Sequence, residues 1–420
     1  MTARVFWTEL RRSPLRWWLP VLVALDVAML LGRDTWWIGV WPEASAAAQL
    51  PAYFFGLVLG GGAAWVAGRT HRAGLTEQLS ASTRARWQVE LPVLAGTLAY
   101  GLVAFVPGVV IAAVVSAREA GPGFLWPSYL ALGVCLVVLS AATGHLAGKL
   151  WSSRFVPAIT VAVCLFGQTM LRPIRFYVLS GHPQAEVSGP ALAVRVAFVL
   201  LMAAFALALP PRDARLGWSR ARGVPLRPLA AVAAFAGLVA VAVAGPLLVG
   251  RPAPARALCS DETPRVCLWP ENRKYLGPVS AMVARLNSLP GGALTLPPTF
   301  YERGLRAASA PDAGADFQFL AGDLSVPSFL SSAVIARTLP DCEVPSDAEE
   351  RYSHEVFSLD AYLQLRGFGD AAALGNDGGP PGVDMREIAR VASLPDDRQA
   401  EWVKGRLAAV REIGGDCRDR

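Results

Sequence analysis

The amino-acid sequence predicts an α-helical membrane protein: a polytopic bundle of six plus one transmembrane helices, followed by a mostly helical soluble domain with a small sheet. The 420-residue chain is 53% hydrophobic but only 17% charged, whereas soluble domains are nearer 25% charged. Long apolar runs are confined to the first 250 residues. The charge divides at the same point. Residues 1–250 carry 20 basic and 9 acidic side chains, a net charge of +11, and residues 251–420 carry 19 and 24, a net charge of −5.

Seven segments are candidates for membrane-spanning helices, which need about 20 largely apolar residues. They are Trp17–Leu31, Leu50–Ala67, Leu91–Val115, Tyr129–Leu150, Val156–Leu171, Pro190–Leu209 and Leu229–Val249. Trp and Tyr flank several of them, as interfacial belts require. The sequence therefore divides into an amphipathic cytoplasmic entry segment (1–16), a six-helix core (17–210), a basic loop with the seventh helix (211–250) and an extracytoplasmic domain (251–420).

Basic residues in the loops predict the orientation of these helices. The N-terminal tail and every second loop after it carry 15 Lys and Arg, and the other loops carry 4. Because cytoplasmic loops are rich in Lys and Arg, we expect a cytoplasmic N-terminus, and seven crossings place residues 251–420 outside. A cleaved signal peptide is the alternative. Ala44–Ala48 has suitable small residues, but Arg33, Asp34 and three Trp separate it from the apolar run, which favours a retained helix.

The cysteines favour the same topology. Four of the six, Cys259, Cys267, Cys342 and Cys417, lie in the C-terminal part, and an even number fits disulfides in an oxidising compartment. Of the three possible pairings we favour Cys259 with Cys267, because a short loop closes at low entropic cost, and this leaves Cys342 for Cys417. A zinc site is the alternative, but it lacks a Cys-x-x-Cys spacing or clustered His. We expect no metal and no other cofactor.

Two charged residues lie inside predicted helices. Asp26 is near the middle of the first and Arg195 is near the outer end of the sixth. Intramembrane charges usually face a bundle interior and find a partner, so we hypothesise that the two pair or line a polar path. The alternative is a locally satisfied Asp26 and an Arg195 that extends to the interface.

Small residues indicate close helix packing. Gly56 with Gly60, and Gly144 with Gly148, have the spacing that lets helix backbones approach each other. Pro107 is expected to kink the third helix.

The polar segment between the second and third helices reads GRTHRAGLTEQLSASTRARWQVELPVL over residues 68–94. It resembles the coupling-helix region of permease subunits of ABC-type exporters, the class called ABC-2, and the N-terminal FWTELRRSPLRWW resembles the entry helix of that family. The matching residues are Arg72, Gly74, Leu75, Glu77, Leu79, Ser80 and Arg84. The resemblance covers about residues 1–210 and implies a coupling helix that binds a separate cytoplasmic ATPase. The usual proline of the coupling turn is absent from Ala81–Thr83.

The expected function is thus that of a membrane-spanning, permease-like export subunit, working as a homodimer or as a heterodimer with a second permease. The chain has no Gly-x-x-x-x-Gly-Lys-Ser/Thr loop, so ATP hydrolysis is expected only in a partner subunit. The alternative is a non-transporting membrane anchor that displays an extracytoplasmic binding or sensing domain. Nucleic-acid binding is not expected, because the basic residues belong to the membrane half.

The C-terminal domain is long enough to bury its own core. Pro270–Leu289 has the apolar spacing of an amphipathic helix, and Ala293–Leu296 and Phe317–Leu320 are candidate strands. An ectoenzyme is the third reading of the chain. The domain has one histidine, His354, and no Gly-x-Ser-x-Gly elbow, so we assign no catalytic residue.

Overall fold

The computed structural model describes residues 2–73, 86–151, 153–170, 174–210, 226–306, 314–339, 341–369, 380–414 and 416–418. The chain forms two compact units, Met1–Val249 and Gly250–Arg420. The predicted start of the soluble domain, at residue 251, lies one residue from this division.

The first unit is built from helices, most of them apolar. In its described residues these are α1 (Thr2–Arg12), α2 (Leu15–Leu31), α3 (Trp41–Gln49), α4 (Pro51–Ala67), α5 (Arg69–Arg72), α6 (Arg86–Ser116), α7 (Pro127–Leu150), α8 (Val156–Met170), α9 (Gly189–Ala208) and α10 (Leu226–Val243). Each of the seven predicted apolar segments is helical over most of its length. A helix satisfies its backbone groups internally, which an apolar surrounding demands.

Four helical segments are long and apolar enough to cross a membrane. They are Trp41–Ala67, Trp87–Ser116, Pro127–Leu150 and Gly189–Ala208, with 27, 30, 24 and 20 residues. α1 and α2 pass the same test together, across a bend of 71°, which raises the number to five. α8 and the last apolar helix are shorter. The described residues therefore form a helical bundle of the length and composition of a membrane protein, and the predicted count of six plus one stays a prediction.

The second predicted span begins too late in the chain. Trp41–Gln49 is not a connecting loop but the helix α3, and all nine of its residues are buried. Its run of alanine and serine makes it narrow enough to pack against both α6 and α7. Local composition hid this helix, because Glu43 and Gln49 lower its hydropathy.

The last helix of the first unit ends earlier than predicted, at Val243. Gly245 has a φ of 86°, a left-handed conformation that glycine adopts without strain, and Pro246 cannot donate the next helical hydrogen bond. The chain then forms strand β2 (Leu248–Gly250), which pairs with β1 (Ala185–Val187).

Glycines bring α4 and α7 into backbone contact. A Cβ atom on Gly144 would lie 2.0 Å from the carbonyl oxygen of Gly60, and one on Gly148 would lie 2.2 Å from that of Ala64. A Cβ on Gly56 would lie 2.9 Å from the hydroxyl of Ser140. The predicted small-residue spacing is therefore used for close packing between these two helices.

The second unit combines helices with a four-stranded sheet. Its described helices and strands are β3 (Leu258–Cys259), β4 (Arg265–Leu268), α11 (Leu276–Asn287), β5 (Thr299–Glu302), β6 (Ala315–Phe317), α12 (Val326–Thr338), β7 (Asp341–Glu343), α13 (Glu349–Phe368), α14 (Met385–Ala392), α15 (Asp396–Ile413) and β8 (Asp416–Arg418). β3 and β4 are antiparallel, and β4, β5 and β6 are parallel. Trp269, Phe300 and Phe317 are buried around this sheet.

The strand predicted at Ala293–Leu296 is wrong. The chain there turns through Gly291 and Gly292, both with positive φ, and the strand begins at Thr299, after Pro297 and Pro298. Proline cannot donate to a strand ladder, so the two prolines move the start of the strand beyond the apolar residues.

The predicted Cys259–Cys267 disulfide is present, with the two Cα atoms 4.0 Å apart. The two residues are direct partners in the antiparallel β3–β4 pair. Cys342 and Cys417 also lie opposite each other, in the antiparallel β7–β8 pair. Their backbones are therefore suitably aligned for the second disulfide, which stays a prediction.

Candidate functional site

Most of the predicted coupling residues lie outside the described residues: this applies to Gly74, Leu75, Glu77, Leu79, Ser80 and Arg84. Arg72 is described and lies at the end of α5. Its guanidinium lies 4.0 Å from the ring centroid of Trp65 and donates to the carbonyl of that residue. Burial, and secondarily the nearby Arg69, lower the pKa of Arg72. Arg72 therefore packs back onto α4, at the point where the polar segment begins.

Helix α1 binds the start of this polar segment and the helix that follows it. Glu9 accepts a hydrogen bond of 2.8 Å from Arg69, near the first residue of the segment. Tyr100, in α6 beyond the segment, donates to the carbonyl of Leu10 at 2.6 Å. The entry helix is thus in contact with the start of the predicted coupling region and with the helix that follows it.

Asp26 of α2 binds the backbone of α6 next to Pro107, which lies inside this continuous helix. Its carboxylate Oδ2 accepts a 2.6 Å hydrogen bond from the backbone N–H of Gly108, directly after Pro107. A Cβ at position 108 would lie 2.4 Å from this oxygen, so only glycine leaves room for the carboxylate. Asp26 is fully buried, and its place in the bundle follows from this contact between α2 and α6.

No salt bridge joins Asp26 and Arg195 among the described residues, so the hypothesised pair is not present, and a polar path lined by the two stays a prediction. The Nε of Arg195 donates to the carbonyl of Arg175 at 2.9 Å, and Nη1 donates to that of Ala191 at 3.0 Å. The carboxylate of Asp26 and the guanidinium of Arg195 are thus each hydrogen-bonded to backbone groups instead of to one another. Arg195 is buried and ties α9 to the segment before it, instead of extending to an interface.

Glu43 of α3 binds a distant segment, Val178–His182, which we call the strap. Its carboxylate accepts from the hydroxyl of Ser180 at 2.8 Å and from the N–H of Gly181 at 2.8 Å. The Nδ1 of His182 lies 3.2 Å from the same carboxylate. Glu43 is only 4% exposed, so its contacts with the strap offset part of the cost of burying its carboxylate.

Two further side chains hold the strap. The amide of Gln49 donates to the carbonyl of Val178 at 2.5 Å, and Arg33 donates to that of Leu179 at 2.9 Å. Gly181 is in close contact with α3, because a Cβ there would lie 2.1 Å from the carbonyl oxygen of Pro42. Every residue of the strap thus has a polar contact with residues 33–49.

A second buried ionic cluster joins α6, α7 and α9. Glu90 of α6 lies 2.9 Å from the Nε2 of His145 and 3.4 Å from the Nζ of Lys149, both in α7. Lys149 also donates to the carbonyl of Ala206 in α9 at 2.8 Å. His145 is fully buried and Lys149 is 3% exposed. We call these three side chains the Glu90 cluster.

The strap and the Glu90 cluster lie near opposite ends of α7. The N–H of Trp126, at the start of α7, donates to the hydroxyl of Ser45 in the helix that holds the strap. His145 comes about 19 residues later, which is about 28 Å along a helix at 1.5 Å per residue. This distance is close to the thickness of a bilayer core, about 30 Å. Polar clusters therefore bracket an apolar middle.

Sequence reasoning missed both clusters. His145 and Lys149 have the i, i+4 spacing that places them on one helix face, and Glu90 precedes an apolar run, so a search for buried charges near helix ends could have found this group. Nothing local indicates that Glu43 meets the strap. Among the described residues, no group of three or more His, Cys, Asp and Glu could hold a metal ion.

Comparison with protein-family models, with curated proteins and with solved structures found no match to this chain.

Proposed function

We propose that this chain is a multi-pass cell-membrane subunit of an ABC-type export system and the permease-like partner of a separate cytoplasmic ATPase. In this proposal six helices form the core, α10 is the added crossing, the N-terminus is cytoplasmic and residues 250–420 are extracytoplasmic. The loop charge of 15 basic residues against 4 supports this orientation. The chain works in lipid, paired with itself or with a second permease.

The observation that carries the proposal is the contact of α1 with Arg69. An entry helix bent by 71° from α2 binds, through Glu9, a residue near the start of the predicted coupling region. The Arg69 side chain is 41% exposed, so the ion pair contributes at most about 1 kcal/mol. The ion pair matters for where it lies and not for its strength. It joins α1 to the start of the predicted coupling region, and Tyr100 joins α1 to α6, so a partner that binds residues 74–85 would act close to both helices.

In the proposal, the strap and the Glu90 cluster close opposite ends of a transport path, and one end opens at a time. The strap joins α3 to residues 178–182, and the Glu90 cluster joins α6, α7 and α9. Both consist of hydrogen bonds and ion pairs that can form and separate, whereas the glycine contacts between α4 and α7 are rigid packing. In the proposal, ATP binding by the partner separates one set of contacts while the other stays closed.

Co-purification from native membranes tests the proposal. We expect a nucleotide-binding subunit to accompany the tagged chain, and to be lost when Leu75, Glu77 and Leu79 are replaced together by alanine. The matched control replaces Thr76 and Gln78 in the same segment and should retain the partner. A chain that is well folded but brings down no nucleotide-binding subunit favours the membrane-anchor alternative, for which the separate core of the C-terminal unit is the supporting observation.

A further inference from the structure

A cavity of about 400 Å³ lies in the C-terminal unit, where α11, α13 and α14 end and α15 begins. Its volume is within the range of small-molecule sites, about 300–1,000 Å³. Two guanidinium groups line it, those of Arg285 and Arg366, together with the carboxylate of Asp396. The transport proposal gives this cavity no role.

Arg285 is a partly buried cation, and no salt bridge joins it to a carboxylate among the described residues. Its Nε and Nη2 donate to the carbonyl of Gly367 at 3.0 and 2.6 Å, and Nη2 also donates to that of Phe368 at 3.0 Å. Burial lowers the pKa of Arg285. Carbonyl groups carry only partial charges, so these contacts leave most of the positive charge of the guanidinium without compensation.

Arg366 supplies the second positive charge, and its side chain is only 9% exposed. It donates to the carbonyl of Arg285 and to the side chains of Ser288 and Gln399. Its carboxylate partner, Asp396, is 56% exposed and 2.9 Å away. The cavity lining thus contains two guanidinium groups and one carboxylate, which pairs with Arg366, so the lining has a net positive charge.

The rest of the cavity includes apolar surface from Leu365, Ala389 and Ala392. We propose that the cavity binds a small organic anion, with a carboxylate or phosphate group at the two guanidinium groups and a short apolar chain against these three residues. Guanidinium groups form charge-assisted hydrogen bonds with both kinds of oxyanion. The site is independent of the proposed export function and would make the C-terminal unit a ligand-binding domain.

Calorimetric titration of the full chain in detergent tests the proposal. The probes are butyrate and butyl phosphate, which separate the two oxyanions, and sodium chloride at equal ionic strength is the blank. We expect saturable binding of at least one probe. Ala392→Leu, which fills the cavity without changing either arginine, should weaken binding about tenfold or more.

Asp396→Asn separates a binding role of the arginines from a merely structural one. This variant removes the carboxylate that competes for Arg366, so the preferred probe should bind about tenfold tighter, the scale of one charge-assisted hydrogen bond. Arg398→Ala, which removes an exposed cation of the same helix outside the cavity, should leave binding unchanged. The proposal is overturned if neither probe binds above the blank, if Ala392→Leu binds as the parent does, or if Asp396→Asn binds no tighter.

Discussion

Replacing Gly144 by alanine should separate α4 from α7. The new Cβ would lie 2.0 Å from the carbonyl oxygen of Gly60 and 2.9 Å from the Cβ of Ala63. An ordinary C···O contact is roughly 3.3 Å, so the helices must move apart by about 1 Å, and a gap of this size forfeits a quarter to a half of each dispersion contact. Gly148, one turn later, is equally close to Ala64, so the loss extends along the interface.

The expected magnitude follows from two opposing effects. Overpacking of this kind costs about 1–3 kcal/mol, and we expect the upper part of the range because backbone, not a flexible side chain, is in the way. Alanine in place of glycine recovers about 1 kcal/mol of helix propensity. The net destabilisation of Gly144→Ala is therefore about 1–2 kcal/mol, and Gly144→Val should be worse.

Gly96 offers a matched control, because a Cβ on this helical glycine meets nothing within 4 Å. Gly96→Ala should be neutral or stabilising. The assay is the temperature at which half of the detergent-purified protein loses its monodisperse peak in size-exclusion chromatography. The reasoning fails if Gly144→Ala and Gly96→Ala survive heating equally well.

Three further predictions concern buried charges. Burial raises the pKa of Glu302 to about 8, although it accepts hydrogen bonds from the N–H of Trp269 and from Asn272. The pKa of Glu302 in the folded state exceeds that in the unfolded state, which is near 4.5. Its contribution to the free energy of unfolding is therefore fully present below pH 4.5 and is lost as the pH rises to 8. The loss amounts to at most about 1.4 kcal/mol per pH unit. Thermal unfolding between pH 5 and 8 should show this slope, and Glu302→Gln should reduce it; an unchanged slope would exclude Glu302 as its source. Glu43→Gln should loosen the strap, so that a cysteine placed at the buried position of Val178 reacts about tenfold faster with a water-soluble thiol reagent than in the parent; equal rates would contradict the role of Glu43. Glu90→Gln should cost about 3 kcal/mol by leaving Lys149 buried without its carboxylate, and adding Lys149→Met should restore part of the loss, whereas additive losses measured by the same heating assay would show that the two do not interact.

The apolar helices could be predicted from sequence because a long apolar helix is a matter of composition and length. The segment predicted at Tyr129–Leu150, for example, is helical from Pro127 to Leu150. The short Cys259–Cys267 loop was predictable for a similar reason, since loop closure depends on local separation. The close approach at Gly144 was also readable from residue spacing.

Features that depend on distant contacts could not be read in this way. Asp26 and Pro107 are visible in the sequence, but the hydrogen bond from the N–H of Gly108, next to the proline, to the carboxylate of Asp26 is not. From the sequence, Glu43 makes the segment of α3 read as a polar loop. In the structure this carboxylate is buried, because the strap, more than 130 residues later, donates hydrogen bonds to it. A charged side chain is buried only where such distant partners are present, and a local sequence pattern does not identify them.

In the proposed export system, a cytoplasmic ATPase acts on a bundle whose strap lies at the other end. Thiol labelling of the Val178→Cys variant in native membrane preparations, with and without ATP trapped by vanadate, measures this coupling. We expect the trapped nucleotide to change the labelling rate, and the replacement of Leu75, Glu77 and Leu79 by alanine to abolish the change. A labelling rate that is the same in both nucleotide states, with the ATPase present in the membranes, would contradict this coupling.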